Sequence, residues 1–283
     1  MNVTENARVS DTAWVYGNAR VSGNAQVFDN AYVGGDARVF GNAWVSGDAD
    51  VSGHARVFGS ARVSGDADVS GNAQVFDNAL VSGDAQVFDN ARIADHARVT
   101  GDALVLGDAR VSSDGYVGGD ALVSGNARVF GSARVSGNAH VGGDALVDGN
   151  ARVSGNAHVF GSARVSGTAW VSGDATVRGN ARVSGNARVY GNAVVFGTAQ
   201  VSGYATVRGN AEVFKPSHVL VVEIDGHPVT IFRTADGHAV KAGCQTFTLT
   251  DDLPSIAADG GWTLPAYWEG LRDALLEVVE SWH

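Results

Sequence analysis

One cysteine, one methionine and four prolines are all that 283 residues contain, and residues 1–214 carry no lysine. A single cysteine excludes a disulfide framework and any multi-cysteine metal site. No apolar run approaches 18 residues, so no membrane-spanning helix is expected. The opening Met1-Asn2-Val3-Thr4-Glu5 has neither the basic nor the hydrophobic region of a secretory signal, so the expectation is a soluble, cytoplasmic protein. Charged residues are too few, at 18%, and hydrophobic ones too many, at 45%, for a disordered chain. What abounds is glycine, 38 residues of it, without the every-third spacing of collagen.

The glycines mark a repeat. From Val3 to Val213 every sixth residue is valine, with Ile93 the one exception among 36 positions, and no insertion breaks the phase. Two residues before each valine, from Ala7 to Ala211, stands an alanine, with Gly115 the one exception. A two-residue punctuator, usually Gly-Asn or Gly-Asp, separates the units. Within Ala-x-Val-x the alternation is that of a strand, Ala and Val pointing one way and the two x residues the other. Glycine and asparagine tolerate positive φ, so each punctuator can turn the chain before the next short strand. Hairpins would need alternate units to differ, yet nothing marks odd from even. A coil in which each strand stacks on its equivalent one turn later satisfies all backbone groups with one geometry. The repeat therefore predicts a parallel β-solenoid with valine inside and alanine beside it at the corners.

The stretch Val21-Ser22-Gly23-Asn24-Ala25, closed by Gln26 where other units have arginine, resembles the hexapeptide repeat of the left-handed parallel β-helix superfamily. Among its members, poorly characterised bacterial and phage-encoded proteins built from "GNARV" runs with a small tail are the most similar in pattern. The resemblance covers residues 3–214. It implies a left-handed path, 18 residues per triangular coil and about 12 coils, a prism of roughly 55–60 Å at strand spacing.

With 18 residues per coil, outward positions fall into columns. The third face carries Arg20, Arg38, Arg56, Gln74, Arg92, Arg110, Arg128, Leu146, Arg164, Arg182 and Gln200, with Phe40, Phe58, Phe76 and Phe130 beside some of them. The first face, from Arg8 to Thr206, is mixed. The second, from Trp14 to Glu212, has no arginine in its strand column, and its companion column holds Arg178 alone. On that second face Phe88, Leu104, Leu106, Leu122, His140, His158 and Phe160 are expected to form a contiguous apolar patch, of the kind that marks interfaces. One edge stacks Asp48, Asp66, Asp84, Asp102 and Asp120. Neighbours about 4.8 Å apart repel by roughly 1 kcal/mol in water. Turn-forming aspartates bonding their own backbone are expected there rather than a calcium ladder, because one carboxylate per coil is sparse for calcium.

Members of the resembled superfamily include acyl-CoA-dependent transferases in which a histidine acts as general base. Here no loop leaves the repeat to build a cleft. His140 and His158 are the candidates for such a role, and two stacked histidines are too few for structural zinc. The arginine column could grip a polyanion, but the formal charge of −10 weighs against nucleic acid. Arginine on an exposed sheet also discourages sheet-on-sheet aggregation.

Repeat order stops at Lys215-Pro216. His218 to Ile224 and Pro228 to Arg233 flank Asp225-Gly226, a hairpin signal, followed by Ala239 to Ala242 and a strand over Cys244 to Leu249. Thr263 opens a predicted helix to Trp282. Cys244 is expected as a small buried apolar residue rather than a nucleophile. The expected organisation is a β-helix over 1–214 and an α+β cap over 215–283. The charge divides into −4 for the repeat, 16 arginines against 20 acids, and −6 for the tail, four cations against ten acids. The functional expectation is a non-enzymatic scaffold or interaction protein, self-associating as a dimer or trimer through a side face, with no cofactor, no metal and no membrane. An unknown protein partner remains open, as do an acyltransferase and an end-to-end filament.

Overall fold

The computed structural model describes residues 2–4, 6–10, 12–224, 227–234, 237–242 and 245–248. Thirty-six two-residue strands, from Asn2–Val3 to Glu212–Val213, form three parallel sheets of twelve strands each. Consecutive strands pass from one sheet to the next, so every third strand pairs. The register is eighteen residues throughout: Arg20 lies against Arg38, Tyr116 against Arg134, and Leu104 against Leu122. The eighteen-residue, three-sided coil implied by the resemblance is therefore the coil the chain forms. The first sheet begins at Arg8–Val9, the second at Trp14–Val15, and the third at Asn2–Val3, continuing through Arg20–Val21.

Each coil binds the next through its backbone. The amide of Arg20 donates to the carbonyl of Ala37 at 2.9 Å, that of Ser22 to Val39 at 3.0 Å, and that of Asn24 to Gly41 at 2.7 Å. Two or three donors per hexad thus reach forward by seventeen residues, and many turn amides join the ladder with the strands. The turn itself closes when the alanine amide donates to the carbonyl three residues back, as Ala25 does to Ser22 at 3.4 Å.

Glycine is favoured at the first punctuator position for two reasons. Gly131 has φ +66°, and a Cβ built on it would lie 2.9 Å from both N and O of Gly149 in the next coil. Five described positions of this kind hold another residue: Asp29, Asp77, Asp89, Asp95 and Ser113, all with φ between 55° and 59°. Three of these aspartates accept the amide one coil on: Asp29 from Gly47 at 3.1 Å, Asp89 from Gly107 at 3.0 Å and Asp95 from Ser113 at 2.9 Å.

The core is a column of small side chains. The repeat's inward alanines and valines from Ala19 to Val213, with Ile93, are fully buried. Val3, Val9 and Val15, in the terminal layer, are only partly so. At the other end a four-stranded antiparallel sheet of Val219–Ile224, His227–Thr234, Gly237–Ala242 and Gln245–Thr248 meets the last coil. Ala211 bridges Thr234, and the Thr206 amide donates to Thr230 Oγ1 at 3.0 Å. Phe214 takes the buried His218 ring edge-on at 4.1 Å and the Arg233 guanidinium at 4.8 Å. The expected hairpin strands are present, and the last strand begins at Gln245. The predicted helix from Thr263 to Trp282, and Cys244, lie outside the described residues.

Candidate functional site

On the second sheet the register brings Leu104, Leu122, His140 and His158 into one unbroken line. Leu104, Leu106, Leu122, Phe88 and His140 are half-buried, whereas His158 and Phe160 are exposed, Phe160 to 40%. The companion column departs from the expected contiguity. Eighteen-residue spacing puts Ser124 and Gly142 between Leu106 and Phe160, so that column is apolar at both ends and polar or bare in the middle.

His140 fills part of that gap. A Cβ on Gly142 would lie 3.1 Å from His140 Nε2 and 3.2 Å from Ser124 Oγ, so glycine leaves room for the imidazole to fold across. The ring reaches Ser124, with Nε2 and Oγ 3.2 Å apart, and meets His158 edge-on with centroids 5.8 Å apart. Burial first, and then the charge of His158, hold the His140 imidazole below its ordinary pKa. A neutral ring suits an apolar patch. A serine–histidine contact alone does not make a nucleophile, which also needs a group that orients the base and donors for an oxyanion.

Nearer the start of the same sheet lies a feature not assigned a role from the sequence. Asp50 and Asp68 are paired on neighbouring strands, and Oδ1 of each is sealed from solvent without a hydrogen-bond partner. Burial raises both carboxyls. The neighbouring charge of Asp68 adds to this at Asp50, while Ser52 and Ser70 hydroxyls work the other way. Asp-x-Ser on consecutive coils was the available signal, but the half-burial depends on which columns flank it.

The third sheet carries the arginine column. Arg20, Arg38, Arg56, Arg92, Arg110, Arg128, Arg164 and Arg182 are all exposed. Phe40, Phe58 and Phe76 stack beside it with centroids 4.9 and 5.0 Å apart and rings parallel to within 4°. The acidic edge is likewise in place, Asp48, Asp66, Asp84, Asp102 and Asp120 being exposed on consecutive coils. Its first member differs from the expected backbone-bonded turn: Asp48 Oδ1 accepts from Asn30 Nδ2 at 2.9 Å, a bond between coils. Such amide ladders recur along the corners, as from Asn138 to Asn156 and from Asn156 to Asp174. Among the described residues no helix is long and apolar enough to cross a membrane.

Eighteen-residue coils, an alanine–valine core and three parallel sheets define a hexapeptide-repeat parallel β-helix protein. Within that class, six stretches, residues 13–29, 49–65, 73–87, 121–137, 151–167 and 181–197, match the YdcK beta solenoid repeat. No curated protein matches the chain. A solved structure, the UDP-N-acetylglucosamine acyltransferase of Francisella novicida, aligns over 94% of this chain and 77% of its own, at 12% identity and a TM-score of 0.22. A likeness at that score carries no argument about this chain.

Proposed function

We propose that this protein is a non-enzymatic scaffold, a rigid β-helix over residues 1–214 with a capping unit over 215–283, which self-associates through the second sheet. The observation that carries the reading is the line of Leu104, Leu122 and His140, flanked by Phe88 and Leu106. These side chains are half-buried and still present part of their surface outward from the sheet. The strand column of that sheet lacks the arginines that guard the third sheet. Desolvation of His140 makes its charge costly there, which favours a dry contact over a solvated one. A parallel-sided prism can place two or three such faces together with closed symmetry, and cytoplasmic or phage-borne assembly would suit it equally.

The test is the mass in solution by light scattering at micromolar concentration, for the native chain and for Leu122→Arg. The outward position tolerates arginine elsewhere, so the variant should fold. The native chain is expected as a dimer or trimer and the variant as a monomer. A native monomer, or a variant with unchanged mass, overturns the proposal.

A further inference from the structure

The third sheet holds a different kind of site, at its corner with the second sheet. A groove of about 330 Å³ runs across three coils, lined on one side by Arg20, Arg38 and Arg56 and on the other by Asn18, Asp36 and His54. The corner residues form a rail: Asn18 Nδ2 donates to Asp36 Oδ1 at 3.0 Å, and His54 Nδ1 lies 3.6 Å from Asp36 Oδ2. Asp36 is thereby engaged along the rail, and among the described residues none of the three guanidiniums is within 4.0 Å of a carboxylate. The next three coils repeat the arrangement in a second groove of about 200 Å³, where Arg92 and Arg110 face the rail of Asn72, Asn90 and Asp108. The two grooves follow one another on the same corner, so a linear ligand could occupy six coils, about 24 Å at strand spacing.

We propose that this double groove binds an extended carboxylated polysaccharide, its uronate carboxylates on the arginines and its hydroxyls on the corner rail. Guanidinium matches carboxylate bidentately. Five of the six coils present one arginine each, a positive charge about every 4.8 Å broken only at Gln74, a spacing suited to one carboxylate per sugar. Duplex DNA is far denser, with a charge about every 1.7 Å of axis. The rail mixes the Asn18, Asn72 and Asn90 amides with the Asp36 and Asp108 carboxylates and the His54 ring, and so fits hydroxyl groups, which both give and accept hydrogen bonds. Single-stranded nucleic acid needs open aromatic faces for its bases, and the faces of Phe58 are closed by Phe40 and Phe76.

The experiment measures the affinity of the full-length protein for polygalacturonate at low ionic strength, beside an oligodeoxythymidine of similar length. The binding variant is Arg38→Gln with Arg56→Gln, a side chain the column already accepts at Gln74. The control is Arg134→Gln with Arg152→Gln, which removes equal charge from paired strands of the first sheet. Polygalacturonate binding that falls at least tenfold in the binding variant and less than twofold in the control supports the site. Absence of native binding, equal losses in both variants, or oligonucleotide binding as tight as polygalacturonate binding overturns it.

Discussion

Replacing Gly131 by alanine and by aspartate should rank the two in the opposite order to their size. Alanine at φ +66° meets the left-handed penalty of about 1–2 kcal/mol for an L side chain. Its Cβ also falls 2.9 Å from N and O of Gly149, backbone atoms that cannot retreat without parting two coils. Together these should cost about 2–3 kcal/mol. Aspartate bears the same Cβ, but its carboxylate can accept the Gly149 amide, as Asp29, Asp89 and Asp95 do with their counterparts at 2.9–3.1 Å. That bond should return roughly 0.5–1.5 kcal/mol. Urea unfolding followed by circular dichroism reads both. Because a repeat stack can open in parts, the slope with denaturant should be compared as well as the midpoint. Hydrogen exchange over residues 128–152 would localise the loss. Alanine within about 0.5 kcal/mol of the native chain, or aspartate less stable than alanine, would refute the account of the turn.

Val129→Ala removes two methyl groups from a fully buried position between Val111 and Val147, and should cost about 2–3 kcal/mol in the same unfolding assay. Asp68→Asn should stabilise the protein at neutral pH. The raised carboxyls of Asp50 and Asp68 bind protons more tightly folded than unfolded, so their contribution falls as pH rises from the ordinary carboxylate range through the folded values. The gain in melting temperature from Asp68→Asn should therefore be larger at pH 7 than at pH 4, and an equal gain at both would contradict it.

The coil was legible because nothing interrupts it. Val-to-Val spacing of six, held from Val3 to Val213 with Ile93 the one exception, fixes inward and outward positions, and the positive-φ glycines place most of the corners. Columns such as Arg20 with Arg38 and Leu104 with Leu122 follow from that arithmetic once the resemblance supplies three hexads per coil. What the arithmetic does not reach is the packing between columns. Whether Leu106 meets Phe160 depends on Ser124 and Gly142, two coils that the strand-column reading passes over. Asp50 and Asp68 stand at outward positions of the repeat, yet one oxygen of each is sealed from solvent. The corner groove is similarly a product of side-chain reach: Asn18 and Arg20 are two residues apart, but the space between them exists only when Asp36, Arg38, His54 and Arg56 repeat it.

The most direct measurement of the scaffold reading is an electron cryomicroscopy reconstruction of the assembled particle in which the three sheets are distinguishable. The second sheet is predicted at the contact between copies, with Leu104 and Leu122 excluded from solvent and the arginine column facing outward. Particles joined through the first or third sheet, or isolated single prisms, would contradict it.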